Sequence, residues 1–222
     1  DFDVGEIEQK AINAECVIFV NPNNPTGTLL DTEWICSFAA RFPQKKVLVD
    51  ESFIEFSGVS SVVTLLEKKP LSNIMVIKSL SKSLGVPGIR LGYFYCCDQE
   101  MNSYVKQNIP IWNMNSIAEH YLELILKHRI ALNSSFEQTI SDRTEFAAAL
   151  SSVPYVDKVY RSAANFLLVR LKGDAAFADK LSRYLLSEKT IFVKDVSSKF
   201  SDGAGYFRFA VRLQAENQEL VK

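Results

Sequence analysis

Short apolar runs alternate with amphipathic segments along the first half of the chain. The apolar runs have the length of buried β-strands, and they lie at 16–20, 46–50, 74–78 and 91–96. Segments with helical periodicity flank them, at 4–14, 31–41, 62–68 and 98–107. Because strands that alternate with helices usually form parallel sheets, this pattern predicts an α/β fold with a mostly parallel sheet.

The second half of the chain predicts a smaller α/β domain that follows two helices. The predicted helices of this half span 115–127, 135–150 and 174–186, and another starts at 215. The predicted strands lie at 156–160, 165–171, 190–194 and 206–212. A polar, glycine-containing stretch at 197–205 is typical of a loop. We therefore predict two domains, residues 1–128 and residues 129–222.

The composition is that of an ordinary globular protein. The 222 residues are 47% hydrophobic and carry a formal net charge of −1, which supports a core and gives no sign of nucleic-acid binding. No apolar run has the length of a membrane span or the pattern of a signal peptide. The spacing of the four cysteines and two histidines matches no metal site, so we expect no metal, buried free thiols and a cytoplasmic location.

The most informative chemistry follows the third predicted strand, in the sequence Ser79-Leu80-Ser81-Lys82. Arg90 comes eight residues after the lysine. A strand that delivers one amine beside hydroxyls and a guanidinium suits a phosphorylated aldehyde, because the amine condenses with the aldehyde and the other groups bind the phosphate. Pyridoxal 5'-phosphate is the usual ligand of this kind. Taken alone, the same four residues are also compatible with a surface turn.

Two other predicted strands end in polar side chains. Asn24 lies in the rigid turn NPNNPTG at 21–27, where its amide can donate to a phenolate-like oxygen. Asp50 and Glu51 end the second strand, where a buried carboxylate needs a partner such as a protonated pyridine nitrogen. Ligands of α/β proteins bind at such strand ends. The alternatives are a simple strand-to-helix turn for the first segment and a helix cap or surface acid for the second.

Together these segments resemble the fold-type I pyridoxal-phosphate enzymes, and among them the class I and II aminotransferases. The similarity is greatest to the histidinol-phosphate aminotransferase group and to its relative, threonine-phosphate decarboxylase. It extends over almost the whole chain and rests on five stretches: NPNNPTG at 21–27, VDESFIEF at 49–56, SLSKSLGVPGIRLGY at 79–93, ANFLLVRL at 164–171 and YFRFAVR at 206–212.

The resemblance implies the carboxyl-terminal part of a PLP-transferase large domain, with a mostly parallel sheet and helices, followed by a small C-terminal α/β domain. Complete members of the family also carry an upstream segment with a glycine-containing phosphate-binding turn and an aromatic side chain that stacks on the cofactor. Neither feature is found in residues 1–222. We therefore expect this chain to be the carboxyl-terminal part of a larger protein, with the amino-terminal segment as its missing partner, and to be poorly active by itself.

The same resemblance implies roles in binding pyridoxal 5'-phosphate. Lys82 is the catalytic residue, which holds the cofactor as a Schiff base and moves the proton at the substrate α-carbon. Asp50 pairs with the pyridinium nitrogen, and Asn24 binds the 3'-oxygen of the ring. Three residues are implied to bind the phosphate: Ser79, Arg90 and, more weakly, Ser81.

For the substrate, the resemblance implies Arg208 as the clamp for the α-carboxylate, with Asn24 beside it. Arg212, four residues further along the predicted strand, is expected on the same face in a structural role. Two residues depart from the family. Phe53 replaces the usual tyrosine and so removes a hydroxyl from the 3'-oxygen. Lys194 stands where the family often has an arginine for a substrate phosphate, and it keeps the charge without the bidentate geometry.

The predicted function is that of a pyridoxal-phosphate-dependent aminotransferase of amino acid biosynthesis, which acts on a small amino acid or phosphorylated amine and a 2-oxo acid. Two alternatives remain open. One is the α-decarboxylation of an O-phosphorylated amino acid, and the other is a non-catalytic domain that serves as a sensor or assembly module in a larger protein. The family is typically homodimeric, so we expect a homodimer with no nucleic-acid or membrane partner.

Overall fold

The computed structural model describes residues 2–222, and within them the chain divides into two compact units. The first unit comprises the chain up to Pro22 together with Leu29–Ser134. The second comprises Asn23–Thr28 together with Ser135–Lys222. The predicted α/β class is confirmed, whereas the division of the protein into domains at 128/129 stays a prediction.

The elements of the first unit alternate between strands and helices. In chain order they are α1 (Val4–Ala11), β1 (Cys16–Val20), α2 (Thr32–Arg41), β2 (Lys46–Asp50), α3 (Val62–Lys68), β3 (Ile74–Ser79), α4 (Leu80–Ser83), β4 (Gly92–Cys96), α5 (Gln99–Asn108) and α6 (Ser116–Lys127). Two short 3-10 helices, Ile54–Phe56 and Pro87–Ile89, connect some of them. The long helix α7 (Arg129–Ser151) follows.

The sheet of the first unit has the order β1-β2-β3-β4, in which β1, β2 and β3 are parallel and β4 is antiparallel to β3. Alternate strand residues are apolar and pack on α2 and α3, so that Val49 and Val76 share a core with Phe38. Helix α2 begins where the sequence predicts, because Asp31 caps it by accepting a hydrogen bond from the Glu33 N–H over 2.8 Å. The prediction of a mostly parallel sheet is confirmed.

The second unit is built on an antiparallel sheet. Its elements after α7 are β5 (Val156–Val159), β6 (Phe166–Asp174), α8 (Ala175–Lys189), β7 (Lys194–Asp195), β8 (Ala204–Ala210) and α9 (Gln214–Val221), with a 3-10 helix at Ser197–Lys199. The strand order is β5-β6-β8-β7. One face of this sheet packs on α7 and α8, where Leu167, Val169 and Phe207 join Phe146 and Ala178 in a core. This face therefore buries Leu167, Val169 and Leu171 of ANFLLVRL, whereas Leu168 packs in a separate cluster with Val196 and Tyr206.

Several boundaries predicted from the sequence are wrong: α1 ends at Ala11 and not at 14, β6 at Asp174 and not at 171, and α8 at Lys189 and not at 186. Three further differences have a clear physical reason. Helix α7 starts at Arg129 rather than at 135, since no proline or glycine interrupts the intervening residues. The predicted strand 190–194 shrinks to β7, because Thr190 ends α8 in a left-handed conformation with φ 58° and pairing with β8 begins only at Lys194. Strand β8 ends at Ala210, so Arg212 lies beyond the strand and not on a shared strand face.

The cysteines and the helices bear on two expectations from the sequence, that the thiols are buried and that the chain does not span a membrane. Cys16 is exposed at the start of β1, which corrects the expectation that the thiols are buried; Cys96 is buried. The reason is that the outer face of β1 carries no covering element among the described residues, and Ile18 on that face is 63% exposed. Within residues 2–222, no helix combines the length and the apolar character needed to cross a membrane.

Candidate functional site

Strands β2 and β3 end side by side, and the residues at their carboxyl ends border a cavity. Asp50 is the last residue of β2, and Ser79 is the last of β3. The cavity has a volume of about 700 Å³, and its lining includes Asp50, Ser52, Ser79 and Arg90. Since ligands of α/β proteins bind beyond the carboxyl ends of parallel strands, this cavity is the candidate site of the first unit.

Ser52, for which the sequence predicts no role, connects Asp50 to Ser79. Its backbone N–H and its hydroxyl both donate to Asp50 Oδ1, over 3.0 Å and 2.5 Å. Its hydroxyl oxygen accepts a hydrogen bond from the backbone N–H of Ser79 over 3.1 Å. The second oxygen of the Asp50 carboxylate, Oδ2, makes no hydrogen bond with residues 2–222 and is available to a ligand.

Arg90 borders the cavity from a strained backbone position. It follows the 3-10 helix Pro87–Ile89 in a left-handed conformation with φ 56°. A non-glycine residue pays about 1–2 kcal/mol for this conformation, and such strain is concentrated at functional sites. The guanidinium donates from Nη1 to the Pro87 carbonyl over 3.1 Å, and the residue is otherwise exposed. An exposed guanidinium at the cavity is suited to an anionic ligand.

Lys82 and Ser81 lie on the short helix α4, just after Ser79, and neither belongs to the lining of this cavity. Lys82 is exposed and makes no hydrogen bond or ion pair with any described residue. Ser81 is buried, and its Oγ has no hydrogen-bond partner in residues 2–222. The structure thus brings Asp50, Ser79 and Arg90 to one cavity, which Lys82 and Ser81 do not line, and the cofactor roles of all five residues stay predictions.

In the second unit, Asn24 and Arg208 are in direct contact. Arg208 Nη1 donates to Asn24 Oδ1 over 2.7 Å, although the two residues are 184 positions apart in the sequence. Because a guanidinium can only donate, the amide oxygen of Asn24 must face it. The amide nitrogen of Asn24 then remains a donor without a partner among the described residues. This is the donor that the predicted contact with a phenolate-like oxygen requires.

The turn that carries Asn24 is held against the second unit by its backbone. Gly27 adopts a positive φ of 71°, and a Cβ at this position would lie 2.1 Å from Ser162 Oγ. The carbonyl of Gly27 accepts a hydrogen bond from the Ala163 N–H over 2.8 Å. Glycine is therefore required here both for its backbone conformation and for the close approach of the chain. This contact explains why Asn23–Thr28 belongs to the second unit.

Lys194 and Arg208 are two cationic side chains on adjacent strands. They are direct partners in the antiparallel register of β7 and β8, so their side chains share one face of the sheet. The Arg208 guanidinium lies 5.1 Å from the centre of the Phe166 ring, and burial lowers the pKa of Arg208 from its usual value. The position of Lys194 beside Arg208 fits a ligand with two anionic groups.

Arg212 differs from Arg208 in its environment. It is exposed, and it donates to Glu216 Oε1 from both Nε and Nη2, over 3.2 Å and 2.7 Å. This is an ion pair near the amino-terminal end of α9, and the structural role of Arg212 stays a prediction. The two arginines of the YFRFAVR stretch therefore have separate environments.

Two buried ionisable side chains, Glu51 and Lys78, have partners that are not evident in the sequence, and Lys78 also belongs to the lining of the cavity. Glu51 accepts hydrogen bonds from the Ser61 hydroxyl and, over 2.8 Å, from the Val62 N–H, so it caps α3; burial raises its pKa. Lys78 is buried and forms an ion pair with Glu55. The alternating polarity of β3 gives no local signal for this pair, because its members are separated in sequence. Glu51 accordingly serves the fold, and Asp50 alone of the two acids borders the cavity.

Sequence comparisons match this chain to known aminotransferases and decarboxylases. A sequence model of the family described as aminotransferase class I and II matches residues 2–222. The chain is 30% identical to a histidinol-phosphate aminotransferase of Ruminiclostridium cellulolyticum over 218 residues, which is 97% of this chain and 56% of the relative. It is also 30% identical to an L-serine phosphate decarboxylase of Sulfurospirillum multivorans, over 93% of this chain and 54% of the relative.

Solved structures give the same two kinds of match. A decarboxylase from Sulfurospirillum multivorans has a TM-score of 0.86 at 29% identity, over 100% of this chain and 64% of its own. A histidinol-phosphate aminotransferase from Clostridium acetobutylicum has a TM-score of 0.86 at 28% identity, over 99% of this chain and 66% of its own. These matches confirm the predicted fold. The chain spans about half the length of the two curated relatives named above.

Proposed function

Because this chain belongs to the family of class I and II aminotransferases, we propose that the protein is a pyridoxal-phosphate-dependent aminotransferase. It would move an amino group between an amino acid or phosphorylated amino compound and a 2-oxo acid. The observation that carries the proposal is the cavity at the carboxyl ends of β2 and β3, which is lined by Asp50, Ser79 and Arg90. These are three of the residues that the resemblance assigns to the cofactor.

The chemistry of the available groups fits pyridoxal 5'-phosphate. Asp50 has one carboxylate oxygen without a partner in residues 2–222, and that oxygen can accept a hydrogen bond from a protonated pyridine nitrogen. Arg90 offers a guanidinium fork for a phosphate, and Ser79 offers a hydroxyl. The Asn24 amide nitrogen is a donor suited to the 3'-oxygen. When bound, the cofactor supplies an electron sink for negative charge that develops at the substrate α-carbon.

The remaining steps belong to side chains of this chain. The Lys82 amine would bind the cofactor covalently and would then take the proton from the substrate α-carbon and return it. Arg208 would hold the α-carboxylate with two parallel hydrogen bonds, and Asn24 would keep that guanidinium oriented. Lys194 would attract a second anionic group of the substrate, such as a phosphate.

The covalent role of Lys82 is tested by trapping. Pyridoxal phosphate is added to the full-length protein, and we expect an absorbance band near about 420 nm, the region where protonated Schiff bases of this cofactor absorb. Borohydride should then fix the cofactor onto Lys82, as read by mass spectrometry of peptides. Lys82→Ala should abolish both signals, whereas Lys106→Ala, at a lysine that does border the cavity, should keep them. A normal band and normal transamination by Lys82→Ala would refute the proposal.

Decarboxylation of an O-phosphorylated amino acid is the second candidate. It is favoured by the similarity to an L-serine phosphate decarboxylase and by the neighbouring cations Lys194 and Arg208, which fit a substrate with both a phosphate and a carboxylate. The assay that separates the two reactions measures carbon dioxide from an O-phosphorylated amino acid without any 2-oxo acid. Release of carbon dioxide selects the decarboxylase, and a requirement for the 2-oxo acid selects the aminotransferase.

A non-catalytic role is the weakest of the three candidates. A module that only binds a ligand has little need of both an amine at Lys82 and a carboxylate clamp at Arg208. Turnover by the full-length protein would reject this candidate. The homodimer stays a prediction that rests on the family, and the cytoplasmic location stays a prediction that rests on the cysteine usage.

A further inference from the structure

We propose that Ser52 is a positioning residue of the cofactor site, which orients the Asp50 carboxylate and ties it to the start of the Ser79–Lys82 segment. The inference rests on the proposed function, because it assumes that Asp50 pairs with the cofactor. Ser52 is buried, and it borders the same cavity as Asp50 and Ser79. The inference rests on the position of Ser52 between the ends of β2 and β3, where it bonds to both Asp50 and Ser79.

The direction of the hydrogen bonds through Ser52 is determined by chemistry. A serine hydroxyl has one proton to donate and lone pairs that accept. The backbone N–H of Ser79 can only donate, so it must donate to Ser52 Oγ, over 3.1 Å. The hydroxyl proton therefore goes to Asp50 Oδ1, which lies 2.5 Å from Oγ. Hydrogen bonds to a charged group are among the stronger ones in proteins.

The consequence for Asp50 is a fixed orientation. Two donors of Ser52, the backbone N–H and the hydroxyl, converge on the single oxygen Oδ1. Rotation of the carboxylate would break both bonds, so Oδ2 remains the oxygen that is offered to the ligand. Alanine at position 52 would keep the backbone bond but would lose the hydroxyl. It would also deprive the Ser79 N–H of its acceptor, at the turn that leads to Lys82.

The second unit contains the same local arrangement at a different place. In Asp195-Val196-Ser197, the N–H and hydroxyl of Ser197 donate to Asp195 Oδ1 over 2.8 Å and 2.6 Å. Ser197 Oγ accepts from the Tyr206 N–H over 2.9 Å. In this chain, an aspartate followed two residues later by serine thus connects a strand end to its neighbouring strand at two places. Ser197→Ala is therefore a matched control that removes the same bonds without touching Asp50.

The experiment measures the dissociation constant of pyridoxal phosphate by absorbance titration of the full-length protein. We expect Ser52→Ala to weaken binding about tenfold, whereas Ser197→Ala should stay within about twofold of wild type. Ser52→Thr, which keeps the hydroxyl, should restore most of the affinity. In an Asp50→Ala background the same serine change should alter binding by less than about twofold, because the hydroxyl then has no carboxylate to orient.

Each outcome bears on the inference. If wild type binds and Ser52→Ala binds equally well, Ser52 has no positioning role. A full tenfold loss that persists in the Asp50→Ala background would also overturn it, because the serine would then act through the fold alone. If Ser52→Ala does not fold, as judged by circular dichroism, Ser52→Cys replaces it, and a wild-type dissociation constant for that weaker donor contradicts the inference. A wild type that binds no pyridoxal phosphate would overturn the proposed function as well.

Discussion

Single hydrogen bonds decide which atoms of two predicted site residues remain available, Asn24 in the second unit and Asp50 in the first. The guanidinium of Arg208 occupies the oxygen of the Asn24 amide and leaves its nitrogen as a donor. Ser52 occupies one oxygen of Asp50 and leaves the other. In both cases a neighbouring side chain turns an ambiguous polar group into one with a defined donor or acceptor. The chemistry of the site therefore depends on these partners as much as on the residues named by the motifs.

At the residue scale, the proposed pair of hydrogen bonds from the Arg208 guanidinium to a substrate carboxylate can be tested. Arg208→Lys keeps the charge, but a lysine cannot make two parallel hydrogen bonds to a carboxylate while it contacts Asn24. We expect the KM for the amino substrate to rise about tenfold, which corresponds to about 1.4 kcal/mol of binding free energy, with a smaller change in kcat. Steady-state kinetics of the full-length protein measure both constants.

The matched control for this change is Arg212→Lys. Arg212 forms an exposed ion pair with Glu216, and exposed pairs contribute little to stability. We expect its KM to stay within about twofold of wild type. Equal effects of the two substitutions would contradict the assignment of Arg208 as the carboxylate clamp.

Among the elements, the turn at 23–28 is the one that most restricts which residues it can contain. It leaves the first unit after Pro22, joins the second through Gly27 and Ala163, and returns at Leu29. The first asparagine of the motif has a different task, since Asn21 is buried and exchanges hydrogen bonds with Leu30 over 3.0 Å and 2.8 Å. Asn21 thus closes the base of the loop, and Asn24 is presented by it.

The close approach at Gly27 predicts a large cost for any side chain there. Gly27→Ala adds a Cβ that would lie 2.1 Å from Ser162 Oγ. The control is Gly203→Ala, since Gly203 has a similar φ of 73° but no atom within 4 Å of the added Cβ. We expect the control to lose about 1–2 kcal/mol from backbone strain, and Gly27→Ala to lose about 1–3 kcal/mol more from overpacking. Urea unfolding measures both, and equal losses would show that the turn can move away from Ser162.

At the scale of the whole molecule, the first unit exposes apolar side chains between α5 and α6. Ile111 and Trp112 are 92% and 93% exposed, and Ile117 on α6 is 73% exposed. Large exposed apolar side chains are the usual anchors of protein–protein contacts. The homodimer expected from the family stays a prediction, and these residues are where we propose that the contact lies.

This surface predicts a specific effect on self-association. Replacing Ile111 and Trp112 together by serine should shift the full-length protein from a dimer towards a monomer, because apolar anchors contribute most of the energy of such contacts. Light scattering coupled to gel filtration measures the mass. Phe192→Ser, at a residue that is 77% exposed in the second unit, should leave the mass unchanged. A dimer that survives the double substitution would place the contact elsewhere.

Elements whose signals are local can be read from the sequence without any tertiary information. Strands β1 and β2 and helix α3 have the ends that the sequence predicts, because apolar runs, caps and helix breakers act over a few residues. The order of the motifs along the chain was also sufficient for the family and for three residues of the cavity, Asp50, Ser79 and Arg90. Parallel strands bring such residues together because their carboxyl ends share one edge.

Contacts between distant parts of the chain, in contrast, become evident only once the chain is folded. The grouping of Asn24 with Arg208 joins residues 184 positions apart, and the bond from Ser79 to Ser52 crosses between neighbouring strands. The short β7 likewise depends on where pairing with β8 can begin. Such features depend on strand register and on buried hydrogen bonds, whose partners leave no local pattern. For this reason the hydrogen bonds of Ser52 to Asp50 and Ser79 are evident only in the folded chain, although Ser52 lies inside the VDESFIEF motif.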